Sequence, residues 1–236
     1  MVTYLLTSKD EIERHEHISS LKTLIPDLVS IEAIYPSKTP IPFYDQIKLI
    51  SKERTGSTLS DGALGCLLSH RVIWRRFLNQ KEQDYCLILE SDSKIDNLDI
   101  IQNQQASISS KYDLFFWGAW DGHARIHRST TQFKEGKYNI GAPLIKSVYC
   151  TYGYSLNKKA AAYLLKATSK ISYPVDIYKK YIQPGALAIG AARPEIIGAW
   201  YNTPSSIQEQ STGIKIKIFL IVQIFDLRNR IHAYFS

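Results

Sequence analysis

Apolar and polar positions alternate along the chain in short blocks, most with the length of a strand or a globular helix. Val2-Thr3-Tyr4-Leu5-Leu6-Thr7 reads as an opening strand, residues 9 to 24 as a charged helix and residues 28 to 34 as an extended segment. Residues 36 to 60, punctuated by Pro and Ser, predict a long connection able to cover a ligand site. Apolar residues at 72, 73, 74, 77 and 78 form a helical stripe within Ser69 to Leu78, and Gly62 and Gly65 ahead of it permit close backbone approach. Tyr85-Cys86-Leu87-Ile88-Leu89 is a continuous apolar run between polar residues, the pattern of a strand covered on both faces. Asn97 to Ser110 predicts a helix, and Asp113 to Gly118 a second buried strand with a sharp end. Residues 119 to 146, rich in Gly, His and Lys, predict an irregular region, and neither repeats nor low-complexity tracts interrupt the pattern. The whole predicts an α/β protein.

Two carboxylates give the pattern its first chemistry. Glu90 and Asp92 follow the 85–89 strand at i and i+2, and at a strand end the chain can turn such a pair around a divalent cation. Open α/β sheets bind ligands outside the carboxyl ends of their strands. The same stretch, Ser91-Asp92-Ser93, is also ordinary turn chemistry.

Gly62, Gly65, Cys66, Ser69, His70 and Trp74, followed by the apolar strand with Glu90 and Asp92, reproduce a Gly-x-x-Gly-Cys-x-x-Ser-His stretch, a Trp four residues on, and a strand ending in acids. In this the chain resembles glycosyltransferase family 25, the bacterial lipooligosaccharide galactosyltransferases and their animal collagen-modifying relatives. Further matches follow in order: the opening strand and the helix with Arg14, Gly153 to Ala161 as a strand running into a helix, Tyr173-Pro174-Val175-Asp176, and Pro204-Ser205-Ser206-Ile207. The likeness spans residues 2 to 208 and predicts a domain over 1–210 with a separate segment over 211–236. It departs at Ser91, where the family carries the central acid of Glu-Asp-Asp, so one ligand is missing and more of the load falls on water and diphosphate oxygens.

The resemblance implies a GT-A-like fold, a central mainly parallel sheet flanked by helices. It implies a UDP-sugar donor, galactose before glucose, with nucleotide contacts from Thr7, Arg14, Gly62, Gly65, Ser69 and His70. It also implies a divalent metal, Mn2+ or Mg2+, on Glu90 and Asp92, and inverting transfer to a saccharide or glycolipid acceptor in lipooligosaccharide or other surface-glycan synthesis. A carboxylate must take the acceptor proton, Asp176 first and Asp121 second. Several of these residues have plainer readings. His70 suits a hydrogen-bonded place in a buried helix, Asp176 suits the cap of a helix over 177–182, and Trp117 and Trp120 suit the core as well as sugar stacking. Nothing marks Cys66 as a thiolate, which makes it packing.

With 44% hydrophobic and 22% charged residues over 236 positions, the chain has the balance of one globular domain. Three scattered cysteines without metal-type spacing read as reduced thiols, and no cleavable signal opens the sequence, so a cytoplasmic enzyme is expected. The net charge of +7 has no Lys/Arg block or nucleic-acid motif behind it, which argues against nucleic acid and for phosphate-bearing partners. Residues 215–235 are too interrupted by charge to span a bilayer. As a helix they either bury Phe219, Ile221, Val222 and Phe225 in an anionic membrane interface, placing the enzyme on the inner face of the cytoplasmic membrane, or pack on the domain. Two other readings of the whole remain: a degenerate sugar-nucleotide or glycan-binding protein, marked by Ser91, and a metal-dependent phosphatase, which would want more clustered Asp and His.

Overall fold

The computed structural model describes residues 1–119, 124–131, 133–135, 137–200 and 215–235, with side chains described except at 133–135 and 215–224. Strand β1 (Val2–Thr7) leads through a 3-10 turn (Ile12–Arg14) to helix α1 (His15–Leu24) and strand β2 (Leu28–Glu32). Helices α2 (Tyr44–Thr55) and α3 (Asp61–Leu78) precede strands β3 (Tyr85–Glu90) and β4 (Ser93–Ile95), helix α4 (Leu98–Lys111) and strand β5 (Leu114–Phe116). Strands β6 (Phe133–Glu135), β7 (Tyr138–Gly141) and β8 (Gly153–Asn157) follow, then helices α5 (Lys158–Ala167) and α6 (Tyr178–Tyr181). Strands β9 (Ile189–Arg193) and β10 (Ile197–Ala199) and the terminal helix α7 (Lys215–Phe235) complete the order.

Eight strands form one sheet in the order β2-β1-β3-β8-β5-β9-β7-β6, and β10 pairs with β4 beside it. β2, β1, β3, β5, β9 and β6 run one way; β8 and β7 run against them. This is the α/β architecture expected, a central sheet flanked by helices. Side chains of β1 and β3 alternate between two buried layers, which is why both strands read as nearly unbroken apolar runs. Tyr4, Leu6, Cys86 and Ile88 meet Leu67, Trp74 and Phe77 of α3 and Leu164 of α5 on one face. Leu5, Leu87 and Leu89 meet Ile18 and Leu21 of α1 and Ile101 and Ile108 of α4 on the other.

The helix starts follow local chemistry. Ser60 caps α3 by accepting from the Ala63 N–H at 3.2 Å, Asn97 caps α4 through Ile100, and Asn157 caps α5 through Ala160. Three expectations need correction. The stretch from 36 to 60 is not all connection: α2 occupies its second half, and because Ser51 is the one residue α2 buries, no apolar stripe announced it. Gly62 and Gly65 do not precede a helix but lie within α3, which starts at Asp61. The region 119–146 contains β6 and β7, recruited into the sheet by pairing of β7 with β9. Among the described residues no helix is long and apolar enough to cross a membrane.

Candidate active site

The carboxyl ends of β2, β1 and β3 lie level, with Thr7 opposite Glu32 on one side and Leu6 opposite Glu90 on the other. A cavity of about 300 Å³ opens there, walled by Thr7, the 33–37 segment, the first turns of α3, Arg14 and the Glu90-Ser91-Asp92 turn. Of the residues singled out by sequence, Thr7, Arg14, Gly62, Cys66, Ser69, Glu90, Ser91 and Asp92 line this cavity. Gly65 and His70 stand behind its wall. A Cβ on Gly65 would come 2.3 Å from the Ile34 carbonyl oxygen, so this glycine lets α3 press against the strand-end segment. Ser69 fixes the same segment: its hydroxyl accepts from the Ile34 N–H at 2.8 Å and donates to the Gly65 carbonyl at 2.7 Å.

The acidic turn is clamped from several sides. Ser93 Oγ accepts from the Glu90 N–H at 2.9 Å, the Asp92 carbonyl accepts from the Trp200 N–H at 2.6 Å, and β10 pairs with β4 immediately after the turn. Trp200 stacks on His17 at 4.5 Å, and His17 Nε2 contacts the Ser93 carbonyl at 2.8 Å. Arg14 reaches in from the 3-10 turn, donating to Ser91 Oγ at 2.7 Å and lying 3.4 Å from both Asp92 Oδ2 and Glu11 Oε1. Ser91, which replaces an acid, thus serves as an acceptor for the buried guanidinium.

Glu90 is held by groups distant in sequence. His70 Nε2 lies 2.9 Å from Glu90 Oε1, Thr151 Oγ1 donates to the same oxygen, and Cys66 Sγ is 3.8 Å away. Behind His70, Tyr154 OH sits 2.8 Å from Nδ1 and accepts from Trp74 Nε1 at 2.9 Å. The donors therefore run Trp74 to Tyr154 to His70 to Glu90, which assigns the His70 proton to Nε2. Trp74 and His70 stand four residues apart on one face of α3 and converge on one hydroxyl, a physical reason for their spacing. Thr151 follows Cys150, a non-glycine residue at φ 67°, so local backbone strain accompanies the contact to Glu90.

The electrostatics separate the two acids. Burial pushes Asp92 up to about 6, and the Glu90 charge adds to this against the pull of Arg14. Burial also opposes ionisation of Glu90, yet the hydrogen bonds from His70 and Thr151, with the charge of Arg14, bring it below its ordinary value. Asp92 Oδ1 is buried with no hydrogen-bond partner among the described residues. An unpartnered carboxylate oxygen beside an ionised glutamate suits a hard divalent cation, whose preferred ligands are oxygens. Cys66, His70 and Glu90 bring ligand atoms within 4.8 Å of one another, but both His70 nitrogens are engaged and burial pushes the Cys66 thiol well up. That triad is better suited to orienting Glu90 than to ligating a metal.

Asp176 does not cap α6: the residue at the cap is Ile177, without a side-chain cap bond. Its half-buried carboxylate accepts from the Cys150 N–H, and burial, then the Glu90 charge, raise it above its ordinary value. It does not line the cavity. Trp117 belongs to the core, fully buried with Nε1 donating to Ser155 Oγ at 2.7 Å, and is not available for sugar stacking. Asp121, Trp120 and the Pro204 to Ile207 stretch lie outside the described residues. Tyr154 and Thr151 were not singled out from sequence as site residues; Tyr154 stood within a matched stretch, but its role depends on contacts across 80 and 84 residues.

The sequence model of glycosyltransferase family 25 (LPS biosynthesis protein) matches residues 1–178. Comparison with curated proteins gave no match. Among solved structures the chain is similar to A197 from STIV, at 12% identity and a TM-score of 0.44 over 84% of each chain. It is also similar to a putative glucose-1-phosphate thymidylyltransferase from Bacillus anthracis solved with sucrose, at 14% identity and 0.41 over 81% of this chain and 86% of that one. A third is mannose-1-phosphate geranyltransferase from Thermus thermophilus, at 10% identity and 0.38 over 80% and 72%.

Proposed function

The chain belongs to glycosyltransferase family 25, and on that premise we propose that it transfers a hexose, galactose before glucose, from a UDP-sugar to a saccharide or glycolipid acceptor in lipooligosaccharide or other surface-glycan synthesis, with inversion. The observation that carries this reading is the cavity at the strand ends, where Arg14, Glu90 and Asp92 converge and Asp92 Oδ1 is buried without a partner among the described residues. In the proposal the nucleotide lies against Thr7, Gly62 and the 33–37 wall. Glu90 and Asp92 would hold Mn2+ or Mg2+, which when bound would supply positive charge against the diphosphate of the donor. Ser69 and Gly65 set the wall, and His70 aims Glu90. Asp176 takes the proton of the acceptor hydroxyl; its raised affinity for a proton supports the assignment, and Asp121 is the second choice. The acceptor is met at an anionic membrane surface.

Purified protein with UDP-galactose, UDP-glucose or UDP-N-acetylglucosamine, with and without Mn2+, tests the donor half without any acceptor. Manganese-dependent release of UDP from one donor, abolished by Asp92→Ala in a folded protein, is the expected result. Turnover that survives the substitution would refute the metal assignment. A second reading is favoured by one specific contact: Arg14 already engages Asp92 and Ser91, so a cation competes with a built-in guanidinium. In that case the protein binds sugar nucleotides without transfer, seen as UDP-sugar affinity with no turnover across a broad acceptor panel.

A further inference from the structure

A second cavity, of about 250 Å³, lies in the opposite half of the sheet from the donor cavity, between β7, β9 and α7. Its wall carries four arginines, Arg125, Arg128, Arg193 and Arg230, together with Asn139 and Tyr234. Among the described residues one acid answers them at close range: Asp226, on α7, pairs with the buried Arg125 and with Arg230 Nε at 2.7 Å. Arg128 lies over the Tyr234 ring at 4.9 Å, and the half-buried guanidinium of Arg193 makes neither hydrogen bond nor ion pair among the described residues. A purely structural ion-pair network would balance its charges; here, among those residues, the positive charge stays in excess. Burial, then cationic neighbours, lower Arg125 and Arg193 from their ordinary values against the opposing pull of Asp226.

The helix that closes this cavity also presents an unpartnered apolar face. Leu227, Ile231 and Tyr234 recur at i, i+4 and i+7, each more than half exposed, and Phe235 beside them is 82% exposed. This is not the face expected from sequence, which included Phe225. That residue is half-buried under Lys179, whose Nζ lies 5.8 Å from the ring centroid, while Phe219, Ile221 and Val222 lie outside the described side chains. Tyr234 belongs both to the stripe and to the cavity wall, so an anion seated among the arginines has apolar surface directly beside it. Soluble phosphate has no use for that surface, whereas a phospholipid does.

We propose that the arginine cavity seats the phosphate of an anionic phospholipid headgroup, with Arg128, Arg193 and Arg230 around it and Leu227, Ile231 and Phe235 entering the acyl boundary, so that α7 docks the protein on a membrane. The inference deepens the membrane half of the proposed function and rests on that half alone; the pocket owes nothing to the sugar-transfer chemistry. Charge complementarity selects the occupant. Guanidinium groups match phosphate oxygens in pairs, and Tyr234 joins the arginine wall to the apolar stripe.

The test is flotation of the full chain with vesicles of phosphatidylcholine alone or with about a third phosphatidylglycerol, near physiological salt. Wild type floats with the anionic vesicles only. R128A/R193A, which breaks no ion pair among the described residues, loses about thirtyfold in partition, from roughly fivefold per cation at the surface, whereas R128K/R193K, which keeps the charge without the paired donors, retains only part of the binding. L227S/I231S also loses binding. Should the double alanine variant fail to fold, R128A alone, at an exposed position, carries the same reading at about fivefold. Flotation of R128A/R193A equal to wild type, or failure of wild type to float with anionic vesicles, overturns the proposal. So does a soluble source: stabilisation of wild type but not R128A/R193A by millimolar inorganic phosphate, without vesicle binding, identifies a free-phosphate pocket. UDP-sugar hydrolysis by R128A/R193A stays at the wild-type level, so loss of flotation is distinguishable from failure of the donor-site reading.

Discussion

Asp92→Asn should make the protein more stable while removing its proposed metal-dependent activity. The carboxylate is 23% exposed, and burial together with the Glu90 charge pushes it up to about 6 from an ordinary 3.8. Between those two pH values the folded chain holds a proton that the unfolded chain has released. Wild type therefore loses stability as pH rises through this window, and above it the ionised carboxylate costs roughly 3 kcal/mol in the native state. Asparagine keeps the shape and never ionises. Its advantage is absent below pH 3.8 and complete above about pH 6, which for a chain of this length corresponds to a midpoint shift of about 6–12 °C. Thermal or urea unfolding of both proteins in a chelating buffer at pH 4 and at pH 7.5 makes the comparison. No gain at pH 7.5, or an equal gain at both pH values, would refute the account of Asp92. Adding Mn2+ at pH 7.5 should then stabilise wild type and leave Asp92→Asn where it was.

Other substitutions probe the supports. Tyr154→Phe removes the hydroxyl joining Trp74 to His70 and leaves a buried indole N–H without its acceptor; a loss of about 2 kcal/mol in urea unfolding is expected, with UDP-sugar turnover reduced because Glu90 loses its aim. A loss below about 0.5 kcal/mol would mean that the relay is not held in place by packing. Gly65→Ala forces α3 away from the Ile34 carbonyl and should cost about 2 kcal/mol while weakening UDP binding through the displaced 33–37 wall. Unchanged UDP affinity in a destabilised Gly65→Ala protein would separate the helix contact from the nucleotide site.

The parts of the fold legible in the sequence are those whose burial depends on their own residues. β1 and β3 are covered on both faces and so carry unbroken apolar runs, and α4 follows an asparagine that caps it. α2 is illegible because it turns almost every side chain away from the core, leaving periodicity nothing to detect. β7 takes its place by pairing with β9, which comes much later in the chain, and its Tyr-Asn-Ile-Gly sequence gives little sign of this. The site divides in the same way. Glu90, Asp92 and Arg14 could be named from strand-end chemistry and family resemblance, whereas Thr151 reaches Glu90 only because β8 runs antiparallel beside β3.

Three departures from local rules meet around one turn. Asp92 has one carboxylate oxygen buried without a partner among the described residues, Cys150 holds a left-handed backbone without being glycine, and Glu90 is ionised despite its burial. Each costs stability, and nothing in the core requires any of them. Other departures stand singly, such as the left-handed backbone of Phe43 and the Tyr85 hydroxyl, buried without a partner among the described residues. These three lie together at the strand ends, with Cys150 donating its N–H to Asp176 and leading into the Thr151 that holds Glu90. A strained, charged and incompletely satisfied cluster held by a well-packed sheet is what differential binding of a charged transition state demands, because the missing partners are supplied by the ligand. On this argument the destabilised turn and the proposed chemistry have one cause, and repairing the turn by Asp92→Asn cannot leave the chemistry intact.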